Sequence, residues 1–160
     1  MSFKQSRLAE FHARGGLWVL AQMLALFTVL VLGLLSVGHN PRLPNGRIGG
    51  CLLGLSAVIA IAGTVSLGRN LSPHPKPHAR TTLVQHGIYA WVRHPLYLSL
   101  MLAAIGWGLL RQSLAALVAA LVMALVLDAK SRVEERWLRE KFPEYGDYVR
   151  RVRRFVPWVY

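Results

Sequence analysis

Acidic residues are scarce in this sequence: seven Asp and Glu stand against 19 Lys and Arg, which leaves a formal charge of +12 on 160 residues. Charged residues of either sign make up only 16% of the chain, whereas 54% of it is hydrophobic. A soluble domain of this size cannot bury so much apolar surface. The basic excess leaves two kinds of partner open, a nucleic acid or a membrane, and the position of the charges must separate them.

Cysteine is nearly absent as well. Cys51 is the single cysteine, so a disulfide framework and a redox pair are both excluded. Four histidines share one loop: His74, His78, His86 and His94. Pro75 and Pro77 prevent the helix that would make His74 and His78 a ligand pair, so we predict no metal site.

Charge is missing from three long stretches of the chain. Leu17 to Gly38 and Ile48 to Gly68 contain no charged residue and have 22 and 21 residues, and a helix needs about 20 to cross a bilayer. The first stretch is too long for the apolar region of a signal peptide. The third, Pro95 to Leu127, has Arg111 as its one charge, which predicts a helical hairpin turning at or near the far membrane interface.

The sequence therefore predicts an all-α fold, a polytopic membrane helical bundle in a single domain, 1–160. About four membrane helices are expected, over about 17–38, 48–68, 95–110 and 113–127. Of the 19 basic residues, 16 fall on the side that carries both termini, and Arg42, Arg47 and Arg111 fall on the other. Because cytoplasmic loops carry the Lys and Arg excess, we expect both termini in the cytoplasm and no nucleic-acid partner.

Two polar segments on that side can carry chemistry, the loop 69–94 and the tail 128–160. Arg93 and His94 precede Pro95 at the start of a helix, where free N–H groups favour an anion; alternatively, Arg93 meets lipid phosphate and His94 caps the helix. Asp128 and Glu135 share a helix face and could receive a cation, although such residues usually only solvate a helix. Together they suggest a zwitterionic ligand with a lipophilic partner.

The polar residues fall into an ordered pair of motifs around the uncharged hairpin. The first contains Gly87, Tyr89, Arg93, His94, Pro95 and Tyr97, and the second contains Glu134, Glu135, Leu138, Phe142, Tyr145, Tyr148, Arg154, Phe155 and Pro157. In this order they resemble the isoprenylcysteine carboxyl methyltransferase and phospholipid methyltransferase superfamily of membrane enzymes. The match extends upstream to residues 67–70 and to Leu83 and Val84, with departures at Ile88, Ser99 and Pro143.

The resemblance implies S-adenosylmethionine (SAM) as cofactor, bound by elements at about 67–99 and 128–157, with the C-terminal helices covering the site. The implied cofactor-binding residues are Leu83, Val84, Gly87, Tyr89, His94, Pro95, Tyr97, Glu134 and Glu135. The implied catalytic residues are Arg93, His94, Glu135 and Arg154. The implied reaction moves a methyl group to a lipophilic acceptor that arrives from the bilayer. An isoprenylcysteine-type carboxylate is the leading acceptor and a phospholipid ethanolamine the alternative.

Two other functions remain open at this point. Membrane sterol reductases share a similar Arg-His-Pro-x-Tyr and bind NADPH, but Leu96, Leu98 and Ser99 stand where their pattern has other residues. A non-enzymatic membrane protein would use the polar segments as lipid anchors. We expect an integral protein of a bacterial or archaeal inner membrane, in contact with membrane lipids and of open oligomeric state.

Overall fold

The computed structural model describes residues 15–36, 46–70, 82–157 and 159. Within these ranges the chain forms five α-helices: α1 (Gly16–Leu34), α2 (Gly46–Leu67), α3 (Pro95–Leu110), α4 (Leu114–Lys141) and α5 (Tyr145–Arg151). Two short 3₁₀ helices cover Gly68–Asn70 and Gly87–Ala90. These ranges contain no strand, and one isolated parallel bridge joins Val92 to Arg153. The predicted all-α fold is confirmed.

Three of the helices are long and apolar enough to cross a membrane: α1, α2 with its 3₁₀ extension, and α4. The 16-residue α3 is apolar but shorter. Large apolar side chains on the outer faces are exposed, among them Leu24 at 68% and Val65 at 75%, as expected for surfaces that face lipid. The predicted ranges 17–38, 48–68 and 95–110 overlap α1, α2 and α3, whereas α4 continues 14 residues beyond the predicted limit of 127. Residues 37 and 38 lie outside the described part.

The helix α4 continues past the apolar run without a break. Its 28 residues correspond to about 42 Å, which is more than the roughly 30 Å hydrocarbon core. The helix is therefore long enough for its charged C-terminal end to extend beyond the hydrocarbon core, and Glu135 on it meets Arg93 of the loop that precedes α3.

The hairpin bend joins α3 to α4, and its side chains also hydrogen-bond to the C-terminal end of α1. Ser113 caps α4 by accepting a hydrogen bond from the Ala116 N–H at 3.1 Å. Arg111 is exposed, its guanidinium lies over the Trp107 ring, and its Nε donates to the Gly33 carbonyl at 3.1 Å. A carbonyl in the last turn of a helix lacks an intrahelical partner, so the one charge in this run stabilises the end of α1.

Small residues let α2 approach α3 closely. Gly49, Ser56 and Gly63 are the buried residues of α2, and their spacing of seven places them on one face. A Cβ at Gly49 would lie 2.6 Å from the Gly106 carbonyl oxygen, and Ser56 Oγ donates to the Ser99 carbonyl at 2.8 Å. Close backbone approach of this kind is a common basis of helix association in membranes.

Substitution of Gly49 by Ala is expected to lower the free energy of unfolding by about 1–3 kcal/mol, because the new methyl group meets backbone atoms of α3 that cannot move aside. Gly50→Ala is the matched control, since a Cβ at Gly50 has no neighbour within 4 Å among the described residues. Thermal unfolding of both purified variants in detergent measures the difference. Equal losses in the two variants would contradict this packing.

Candidate active site

The predicted polar residues meet where the start of α3, the second half of α4 and the C-terminal segment come together. The C-terminal segment runs back beside the loop before α3: Arg93 N–H donates to the Arg153 carbonyl at 2.9 Å and His94 N–H to the Arg154 carbonyl at 3.1 Å. Successive side chains of an extended segment point to opposite sides. Arg154 is turned inward to α4, whereas Arg153 is exposed.

The centre of the cluster is the Glu135 carboxylate, whose residue is 1% exposed. Its Oε1 accepts hydrogen bonds from Arg93 Nε at 3.0 Å and Nη2 at 2.9 Å, and from Arg154 Nε at 3.0 Å. Its Oε2 accepts from Arg154 Nη2 at 3.1 Å. His94 Nε2 lies 3.2 Å from Oε1. A buried carboxylate is tolerated when it is paired and hydrogen-bonded in this way.

Asp128 and Glu135, which the sequence suggested could receive the cationic group of a ligand, are instead both bound to Arg154 of this chain. Its Nη1 donates to Asp128 Oδ1 at 3.0 Å while Nε and Nη2 serve Glu135. Hydrogen bonds to Glu135 raise the pKa of the Arg154 guanidinium above its usual value, so the group stays charged at any working pH. The two carboxylates therefore fix the returning C-terminal segment to α4.

Arg93 is also held inside the protein. It is 9% exposed, and Nε and Nη2 donate to Glu135. Its Nη1 donates to the carbonyl oxygens of Val149, at 3.4 Å, and Val152. The guanidinium thus ties together α4, the end of α5 and the loop before α3. Its position is that of a residue that organises the site.

Glu134 forms the more open part of the cluster. Its side chain is 25% exposed, against 1% for Glu135, and Oε2 accepts from Tyr97 Oη at 2.8 Å. The His94 ring stacks on Tyr97, with ring centres 5.3 Å apart, and His94 Nδ1 lies 3.9 Å from Glu134 Oε2. His94 therefore sits between an open carboxylate and a buried one.

Sequence reasoning missed a contact beside Tyr97. Lys130 is 2% exposed, its ammonium lies 5.1 Å from the centre of the Tyr97 ring, and it donates to Gln22 Oε1 on α1 at 2.5 Å. Gln22 is the one amide side chain in the first apolar run. Polar residues within membrane helices usually face the bundle interior and pair there, and this signal would have identified Gln22.

A tyrosine cluster closes the other side of the site. Tyr145, Tyr148 and Val152 are buried together, with Leu83 packed against them, and Tyr148 Oη donates to the Tyr89 carbonyl at 2.6 Å. Burial raises the pKa of Tyr145 well above its usual value, so its hydroxyl keeps its proton. That hydroxyl is buried and has no hydrogen-bond partner among the described residues.

The remaining predicted residues shape the loop. Gly87 has a φ of +61°, and a Cβ there would collide with Ser66 of α2, so glycine suits the position. Pro95, at the start of α3, faces Gly63 of α2. The Tyr89 side chain is buried, and burial together with the charge of Glu134 raises its pKa. Val84 is partly buried.

No group of three or more His, Cys, Asp or Glu residues able to hold a metal occurs in the described part of the chain. His74 and His78 lie outside it.

Two known proteins are similar in sequence to part of this chain. The chain is 44% identical over 77 residues to the cobalt-zinc-cadmium resistance protein CzcN of Cupriavidus metallidurans, covering 48% of this chain and 36% of that protein. It is 33% identical over 119 residues to the protein-S-isoprenylcysteine O-methyltransferase of Saccharomyces cerevisiae, covering 69% of this chain and 48% of the yeast protein. The chain therefore spans less than half the length of each of these relatives.

A solved structure shares the fold. The eukaryotic intramembrane Ras methyltransferase ICMT superposes with a TM-score of 0.66 at 21% identity, over 94% of this chain and 53% of that one. The sequence model of the phospholipid methyltransferase family matches residues 45–145, which include α2, α3, α4 and the loop with Arg93 and His94. The chain therefore belongs to the phospholipid methyltransferase family.

Proposed function

We propose that this chain is an integral membrane methyltransferase that uses SAM to methylate a lipophilic acceptor, with an isoprenylcysteine-type carboxylate as the leading candidate. The observation that carries the proposal is that His94, Tyr97 and the partly exposed Glu134 lie together beside a buried network of charged groups. The isoprenylcysteine methyltransferase relative supports it at 33% identity.

The residues present fit SAM. When bound, SAM supplies an activated methyl group on its sulfonium for in-line displacement, where alignment dominates catalysis. Glu134 is the carboxylate with exposed surface, so it would take the ammonium or the ribose hydroxyls. The Tyr145 hydroxyl, which has no hydrogen-bond partner among the described residues, would donate to a ligand atom. Leu83, Val84 and Tyr89 would border the adenine. Arg93, Glu135 and Arg154 hold His94 and the covering segment in place.

The charge near Tyr97 favours a carboxylate acceptor over an amine. Arg93 and Arg154 are both bound to carboxylates, whereas the Lys130 ammonium donates to the neutral Gln22 side chain. A buried ammonium attracts an anionic group and repels a cationic ethanolamine headgroup, and the nearby Glu134 carboxylate offsets part of this effect. A carboxylate also needs no general base, whereas an amine would require His94 or Glu134 to take its proton.

We also place the site on the cytoplasmic side of a bacterial or archaeal plasma membrane, with the acceptor reaching it laterally from the bilayer. The basic loop and tail support this orientation. Arg93, Arg132, Arg139 and Arg154 lie on the segments that meet at the site.

Labelled SAM added to membranes that contain this protein tests the acceptor class. A carboxyl methyl ester releases labelled methanol on treatment with base, whereas an N-methyl group stays attached. We expect base-labile label in the membrane fraction. Base-stable label in phospholipid would identify the ethanolamine alternative, which the family match supports, and no label above control membranes would contradict methyl transfer.

Tyr145→Phe separates a ligand role of Tyr145 from a structural one. Removing a buried hydroxyl without a partner is expected to leave stability unchanged or raise it by about 1 kcal/mol. If the hydroxyl binds SAM, the Kd for SAM should rise about fivefold to tenfold. Thermal unfolding and calorimetric titration measure the two effects, and Tyr148→Phe, which loses a hydrogen bond to Tyr89, is the control for stability. Unchanged SAM affinity in Tyr145→Phe would exclude this contact.

A further inference from the structure

A second polar site lies on the outer side of the C-terminal segment. A groove of about 490 Å³ is lined by Ala90, Trp91, Arg150, Arg151, Arg153 and Pro157. The volume lies within the range of small-molecule binding sites. None of the described residues that line it is acidic. The proposed methyltransferase site uses none of these side chains.

One wall of this groove is the C-terminal segment, whose opposite side contributes Arg154 to the proposed methyltransferase site. The bridge between Val92 and Arg153 fixes the segment against the loop. Arg154 points inward to Glu135, so the exposed Arg153 projects to the outside. Arg153 makes no hydrogen bond or ion pair through its side chain to any residue in the described part of the chain.

The side chains of the other two arginines, Arg150 and Arg151, make only weak interactions with the described part of the protein. Arg150 pairs with Asp147, but the two side chains are 78% and 65% exposed, and such surface pairs contribute little. Arg151 donates to Gln85 Oε1 at 3.3 Å and to the Asp147 carbonyl at 3.4 Å. Three guanidinium groups, one of them paired with the exposed Asp147 carboxylate, form a site suited to an anion with several oxygen atoms, such as a phosphate.

The apolar neighbours indicate where that phosphate comes from. Trp91 is 59% exposed and Val156 is 46% exposed, and Trp91 lies just before Pro95, where the apolar helix α3 begins. Exposed tryptophan beside arginine at the end of a membrane helix is typical of the level of lipid headgroups. We propose that this groove binds the phosphate of an anionic phospholipid headgroup.

The test measures lipid binding to the purified full chain in detergent, by native mass spectrometry with phosphatidylglycerol, phosphatidylcholine and inorganic phosphate as probes. The variant is Arg150→Gln with Arg153→Gln. The control, Arg69→Gln with Arg136→Gln, removes the same charge from two other exposed arginines. Circular dichroism checks that each variant is folded. If the double variant is unstable, Arg153→Gln alone replaces it as the test variant.

We expect wild type and control to bind phosphatidylglycerol in preference to phosphatidylcholine, and the double variant to bind it about tenfold more weakly. Arg153→Gln alone should bind phosphatidylglycerol severalfold more weakly than wild type. Equal weakening in variant and control would overturn the proposal, because it would reduce the effect to general surface charge. Displacement of phosphatidylglycerol by millimolar inorganic phosphate would also overturn it, because the site would then bind free phosphate.

Discussion

Glu135→Ala is expected to lower the free energy of unfolding by about 3–5 kcal/mol, the range found when one partner of a buried ion pair is removed. The carboxylate accepts hydrogen bonds from Arg93 and Arg154 and lies beside His94. Its removal leaves the buried Arg93 guanidinium without its main partner and releases Arg154 from one of its two carboxylates. The C-terminal segment should be held to α4 only through Asp128, and methyl transfer should fall sharply.

Thermal unfolding in detergent measures this effect, with Glu140→Ala as the control. Glu140 lies on the same helix but is exposed, so its loss should change stability by no more than about 0.5 kcal/mol. A Glu135→Ala protein as stable as the Glu140→Ala protein would contradict the central position given to Glu135.

Glu134→Gln, in contrast to Glu135→Ala, should change stability little and SAM affinity strongly. The amide oxygen can still accept the Tyr97 hydrogen bond, and the side chain is 25% exposed, so stability should stay within about 1 kcal/mol of wild type. The lost negative charge would otherwise hold the ammonium or ribose of SAM. A hydrogen bond to a charged group contributes about 1.5–3 kcal/mol, which corresponds to a loss of about tenfold to 100-fold in SAM affinity.

Steady-state kinetics with varied SAM distinguish a binding role from an effect on the chemical step. A binding role raises KM for SAM with little change in kcat. A fall in kcat at unchanged KM would instead assign Glu134 to the transfer step, and unchanged kinetics would remove it from the site. Adjacent glutamates with opposite effects on stability and SAM binding are a specific consequence of their different burial.

The membrane helices could be predicted from the sequence because hydrocarbon tolerates few charges, so uncharged runs mark helices directly. The limits predicted for the third helix, 95–110, match α3. Proximity of Arg93 and His94 to Glu134 and Glu135 could also be predicted, since both segments emerge on one side of the bundle.

The pairing of these groups could not be predicted. Helical periodicity places Asp128 and Glu135 on one face, but it does not say that Arg154 returns to bind both, because that depends on how the tail folds back. Likewise, the Gly50-x-x-x-Gly54 pattern suggests a helix contact at these two glycines. Gly49 makes that contact instead, and a Cβ at Gly50 would have no neighbour within 4 Å in the part of the chain that the structure describes. Which face of an apolar helix is buried depends on its neighbours, and an apolar sequence has little periodicity to reveal it.

Titration of the purified chain with SAM by calorimetry tests the central claim most directly, with NADPH as the competing ligand of the reductase alternative. We expect saturable SAM binding that is weakened about tenfold to 100-fold in Glu134→Gln, and no binding of NADPH. Binding of NADPH, or the absence of SAM binding by a folded wild-type chain, would contradict it.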